Sequence, residues 1–174
     1  EQARKLLDSI PVARRVQRNG VTYETPDVVG LRDRALIAVM VFSFARVSAV
    51  VGMRVEDYYQ NGKRSWIRLH EKGGKFHEIP AHHSAENYLD SYLHAAEIVT
   101  DKKAHIFRTA LGKTGLLTTL GMSRTDALRM IKRRARGAGL PASTCCHAFR
   151  ASGITAYLEN GGPIEKAQAI AAHE

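Results

Sequence analysis

Leu36, Met40 and Phe44 recur every four residues, with Ile37 and Val41 alongside, and no other stretch limits the fold as strongly. The spacing puts one broad apolar stripe on a helix over about Leu31 to Ala45, and such a stripe has to be buried. The chain opens with a second helical pattern, in which Leu6, Leu7 and Ile10 are apolar and Pro11 is the stop. Arg14, Arg15, Arg18, Asn19-Gly20 and Pro26-Asp27 then mark a basic, turn-rich connection.

The period changes in the middle of the chain. Ser65 to His70 and Lys75 to Pro80 are short, rich in β-formers and partly alternating, with Lys72-Gly73-Gly74 between them. This predicts a β-hairpin. Helical spacing returns after Ser84, a capping residue, with Tyr88, Leu89, Tyr92, Leu93 and Ala96 on one face. Ser123 and Asp126 form a capping-box start for a helix reaching about Arg136. A further helix runs from near Cys145 to Gly161-Gly162, and Pro163 opens the last one toward His173. The expected fold is mainly α with a small antiparallel β-sheet (α+β).

At 174 residues, 44% of them hydrophobic, the chain suits one globular domain with a real core. No apolar run approaches a membrane span, and the start lacks the apolar stretch of a signal peptide. The two cysteines, Cys145 and Cys146, are adjacent, which gives neither a disulfide framework nor zinc spacing and fits a reducing cytoplasm. Lys plus Arg number 26 against 17 Asp plus Glu, a net charge of +9. That excess points to a polyanionic partner, nucleic acid first and an anionic membrane second.

Several common chemistries find no motif. Gly112-Lys113-Thr114 lacks the upstream glycine of a nucleotide-binding loop, because Phe107 stands there. His77, His82 and His83 have no ligand-spaced partner and are expected to be solvated loop histidines, so no metal and no cofactor is expected. Four other segments form a set. Arg46 lies where the core helix ends and the next begins; Lys72 sits at the hairpin tip; His147 and Arg150 share a helix face at i and i+3; His173 is near the end. Taken singly, these are a helix-terminus arginine, a turn lysine, an exposed helical pair and a chain-end histidine. Together, two arginines, a lysine and two histidines without paired carboxylates suit the grip of one phosphodiester.

This ordered set resembles the tyrosine recombinases of the phage integrase family, whose pattern is Arg, a hairpin Lys, His-Xaa-Xaa-Arg, a second His or Trp, then Tyr. Lys72 follows Arg46 by 26 residues and His173 follows Arg150 by 23, spacings similar to the family's. The resemblance covers nearly the whole chain, and it implies the family's DNA breaking-rejoining fold. It further implies cutting and rejoining of double-stranded DNA, without metal or nucleotide, through a 3′-phosphotyrosyl link. Arg46 and Arg150 would clamp the phosphate, Lys72 would protonate the leaving 5′-oxygen, His147 would assist proton transfer at the tyrosine, and His173 would hydrogen-bond the phosphate. It implies a homotetramer on paired sites as well.

Departures accompany the match. Ala49 stands where the family usually has an acidic residue supporting the first arginine, so that support is weaker or differently sourced. None of the six tyrosines follows His173. Residues 1–174 are therefore expected to be one catalytic domain, without the amino-terminal DNA-clamping domain and the tyrosine segment, and inactive alone. Arg129, Lys132, Arg133 and Arg136 form a basic stripe that, with Lys75, is expected to contact DNA. A non-enzymatic DNA-binding descendant and a type IB topoisomerase are the rival readings.

Overall fold

The computed structural model describes residues 1–141, 143–144 and 146–171, without the side chains of Cys146 and His147. Helix α1 (Gln2–Ser9) buries Leu6 and Leu7 and ends at Ile10, which turns extended just before Pro11. The segment expected as a connection is instead a hairpin of β1 (Ala13–Arg18) and β2 (Val21–Pro26). Its turn is Asn19-Gly20, both with positive φ (50° and 76°), the pairing that a tight two-residue hairpin requires. Nearly every residue of the hairpin is exposed, so its strands carry no apolar alternation to announce them.

Helix α2 (Val28–Ser43) forms the centre of the domain. Asp27 caps it by accepting from the Gly30 amide at 3.0 Å. The expected single stripe understates its burial: Leu31, Ala35, Leu36, Ile37, Ala38, Val39 and Met40 are all buried, on every side of the helix. The charged pair Arg32 and Asp33 is buried with them. Helices α4 (His83–Ala96), α5 (Arg124–Gly137) and α6 (Cys146–Glu159) all pack against it. A helix so enclosed has no polar face to show the usual periodicity.

The middle of the chain forms a three-stranded antiparallel sheet, β3 (Tyr58–Asn61), β4 (Arg64–His70) and β5 (Phe76–Pro80), with β4 central. Ser65, Ile67 and Leu69 alternate inward along β4, the two-residue period of a half-buried strand. A second unanticipated hairpin, β6 (Arg108–Ala110) and β7 (Leu117–Gly121), carries Gly112-Lys113-Thr114 in its connection. Short helix α3 (Val47–Val51) follows α2, and α7 (Ile164–Ala171) follows α6. The α+β class holds. Among the described residues, no helix is long and apolar enough to cross a membrane.

Two capping expectations separate. Ser123 and Asp126 form the reciprocal box at the start of α5. Helix α4, by contrast, is capped by His82, whose Nδ1 accepts from the Ser84 amide at 3.1 Å, and not by Ser84. His82 also stacks flat on Phe42, 4.2 Å between centroids, and His77 bonds the Ile170 carbonyl at 3.2 Å. His82 is thus an exposed loop histidine, as expected, though it caps α4, whereas His77 is half-buried within β5 and not in a loop.

Candidate anion cleft

Arg46 owes its position to the abrupt end of α2. The Ser43 hydroxyl donates to the Val39 carbonyl at 2.5 Å and accepts from the Ala45 amide at 3.3 Å. Phe44 then enters the left-handed region (φ 54°), so the chain leaves the helix there. Arg46 becomes the N-cap position of α3, with extended backbone. Helix α6 is pressed against the same corner. A Cβ at Gly153 would stand 2.8 Å from both the Phe44 ring and the Val41 carbonyl, so only glycine permits this approach. Arg150 lies one turn before Gly153 and is thereby carried to the Arg46 side of the domain.

Lys72 arrives from the sheet. The β4–β5 connection is a tight turn over Lys72–Gly74, closed by a hydrogen bond from the Glu71 amide to the Lys75 carbonyl at 2.7 Å. Gly73 and Gly74 have φ of 82° and 76°, where a side chain would be strained. Arg46, Lys72 and Arg150 line one cleft of about 690 Å³ with Ser48, His70, Glu71 and Arg124. Lys75 is exposed at the edge of the same turn. Of the remaining expected site residues, the His147 side chain and the whole of His173 lie outside the described residues.

The two arginines are held differently. Arg150 is only 8% exposed; its Nη2 donates to the Ala171 carbonyl at 2.8 Å, tying α6 to the end of α7. Its Nη1 is buried and has no hydrogen-bond partner among the described residues. Burial, and then the neighbouring Arg46 charge, pull the Arg150 pKa below the usual guanidinium value, while Glu71 opposes them. Arg46 is about half exposed and meets Glu71, Nη1 to Oε2, at 3.3 Å. Ala49 is buried, and the carboxylate that meets Arg46 comes from the hairpin. A buried guanidinium donor without a partner, beside a second arginine and a lysine, is chemistry for an anion.

Sequence reasoning missed His70, Glu71 and Arg124. His70 Nε2 sits 3.0 Å from the buried Asp57 carboxylate, which also accepts from the Arg54 amide. Arg124 is the first residue of α5, directly after its cap, and that adjacency was its only signal.

The basic stripe divides. Arg129 and Arg133 line a second groove, about 590 Å³, with Arg14, Arg32, Lys113 and Arg134, whereas Lys132 and Arg136 are exposed but line neither cavity. Arg133 is also engaged inward, 3.4 Å from Asp33.

None of the six tyrosines lines the cleft. Tyr92 is fully buried, donates to the Ile106 carbonyl, and has its pKa raised to about 12 by burial. Tyr58 donates to Asp90, and burial pushes its pKa up as well. Tyr88 lies under the Arg34 guanidinium and Tyr157 packs edge-on to Phe44.

Known proteins resemble this chain in sequence and in fold. Residues 21–174 match the phage integrase family. Tyrosine recombinase XerC of Chlamydia caviae is 31% identical over 166 residues, 88% of this chain and 50% of that protein. Tyrosine recombinase XerD of Mycobacterium tuberculosis is 29% identical over 147 residues, 82% of this chain and 44% of the relative. The chain thus spans about half the length of the curated relatives it matches. A crystal structure of XerA recombinase superposes with a TM-score of 0.73 at 20% identity, over 99% of this chain and 54% of that one. XerH site-specific recombinase bound to its difH substrate gives 0.67, over 46% of that chain, also at 20% identity. With a family match over most of its length and a curated relative above 30% identity, the chain belongs to the phage integrase family.

Proposed function

We propose that the 174 residues are the catalytic domain of a site-specific tyrosine recombinase, which cuts and rejoins duplex DNA through a 3′-phosphotyrosyl intermediate. The observation that carries this is the unpartnered, buried Nη1 of Arg150 in the cleft shared with Arg46 and Lys72. Curated relatives named as tyrosine recombinases support it. The tyrosine oxygen attacks the scissile phosphorus, His147 takes up its proton, and the bond to the 5′-oxygen breaks as Lys72 delivers a proton there. Arg46 and Arg150 clamp the non-bridging oxygens, on which charge accumulates in the transition state, and His173 adds a donor. Lys75, Arg129, Lys132, Arg133 and Arg136 hold the flanking backbone. The enzyme works in the cytoplasm as a homotetramer on paired sites. None of the six tyrosines here is assigned as the nucleophile, since none of them lines the cleft.

The test is a nicked, labelled suicide duplex carrying the element's own site. Protein with its natural flanking sequence is expected to form a covalent adduct that survives denaturing electrophoresis, and the 174-residue chain alone is expected to form none. An adduct on the short chain would place the nucleophile upstream. None from either would favour a DNA-binding protein without strand transfer.

A further inference from the structure

Glu71 is the single carboxylate among the described residues lining a cleft otherwise furnished with cations, and its place needs a reason. An acid inside an anion site repels the ligand, so by charge alone it is a defect. The geometry gives it a task. Glu71 is the last residue before the Lys72 turn, and its side chain is 12% exposed. One oxygen, Oε2, meets Arg46 Nη1 at 3.3 Å; the other, Oε1, is buried without a partner among the described residues. The contact occupies a single Arg46 nitrogen, which leaves the rest of the fork for a ligand. Helix α3, which begins at Arg46, offers no acid of its own: Val47, Ser48, Ala49, Val50 and Val51 are all uncharged. Arg46 is half exposed, so without Glu71 its long side chain would sample many rotamers.

We infer that Glu71 is a positioning residue: its carboxylate holds the Arg46 guanidinium over the cleft and links it to the Lys72 turn. It also offsets the repulsion between Arg46 and Arg150, consistent with its opposing influence on Arg150. Because Glu71 and Lys72 are adjacent, any movement of the turn moves the anchor of Arg46 with it. This inference rests on the anion-cleft reading above.

Two conservative variants separate contact from charge. Glu71→Gln keeps an oxygen at the right length for Arg46 but removes the charge. Glu71→Asp keeps the charge but withdraws it by one methylene. The probe is inorganic sulfate titrated into the 174-residue chain, read by NMR at the Arg46 and Arg150 Nε–Hε signals. Positioning expects Glu71→Gln to bind sulfate at least as tightly as wild type. It expects Glu71→Asp to bind roughly tenfold more weakly, because the freed Arg46 side chain must then be ordered by the ligand. The Arg46 signal should also sharpen toward free rotation in the Asp variant alone. If Glu71→Asp binds like wild type and only Glu71→Gln differs, Glu71 is a charge and not an anchor, and the inference is overturned. If wild type itself shows no saturable sulfate shift, the anion-cleft reading fails and the inference falls with it.

Discussion

The cleft at Arg46 and the groove along α5 are both rich in arginine, yet they use it in opposite ways. In the groove, Arg32 and Arg134 are answered from within. Arg32 donates to Asp33 at 2.6 and 2.9 Å and to the Arg108 carbonyl at 2.8 Å, and Arg134 meets the other Asp33 oxygen at 2.9 Å. Asp33 is fully buried, so this network joins α2, α5 and the β6–β7 hairpin at the centre of the protein. In the cleft, Arg150 leaves a buried donor open and Arg46 has one carboxylate on one nitrogen. Arginine neutralised by the fold builds structure; arginine left with open donors in a concavity awaits an anion from outside.

The largest effect that would break this contrast is at Asp33. Asp33→Ala strands Arg32 as a buried, uncompensated cation, and breaking such a pair costs about 3–5 kcal/mol. Urea unfolding should show that loss, while the Arg46 and Arg150 signals of the folded fraction keep their sulfate response. A stability within about 1 kcal/mol of wild type would mean the network is not structural. Next in size is the outer face of α5. Replacing Lys132 and Arg136 by Ala should reduce the slope of log K against log salt by about 0.9 for each phosphate no longer neutralised, on duplexes of any sequence. An unchanged slope would make that face merely solvated.

The smallest effect concerns the cap that orients α5. Ser123→Ala should cost about 1 kcal/mol by thermal unfolding. The amide and hydroxyl of Ser123 hold the Asp126 carboxyl below its usual value. A depressed folded pKa contributes stability that is complete above the unfolded aspartate value, about 3.9, and is lost as pH falls through the folded one. The Ser123→Ala deficit should therefore be constant from neutrality down to about pH 4 and shrink below it. A deficit that grew on acidification would contradict the box.

Much of this was legible in the sequence, for identifiable reasons. The β4–β5 hairpin and the α5 cap depend on short-range spacing, which a sequence displays, whereas Arg46, Lys72 and Arg150 were legible only as an ordered set resembling a family's. The β1–β2 hairpin had its Asn19-Gly20 signal but no buried face, so nothing separated its strands from a loop. The Arg46–Glu71 pair spans 25 residues, and Asp33 meets Arg133 across 100. Such partners are joined only by packing. The stripe on α5 was visible as a period, but which of its arginines the core had already engaged was not.

The central claim is that Arg46 and Arg150 act on the negative charge of one phosphodiester. Its most direct test measures single-turnover adduct formation by the protein with its natural flanking sequence, wild type against Arg150→Ala. Two substrates are compared, an ordinary scissile phosphate and a neutral methylphosphonate at the same position. On the phosphate, losing a donor aimed at developing charge should slow cleavage by roughly 10²–10³. On the methylphosphonate, which lacks that non-bridging charge, most of the deficit should disappear. An equal loss on both substrates would show that Arg150 supports the fold and not the phosphate, and would contradict the claim.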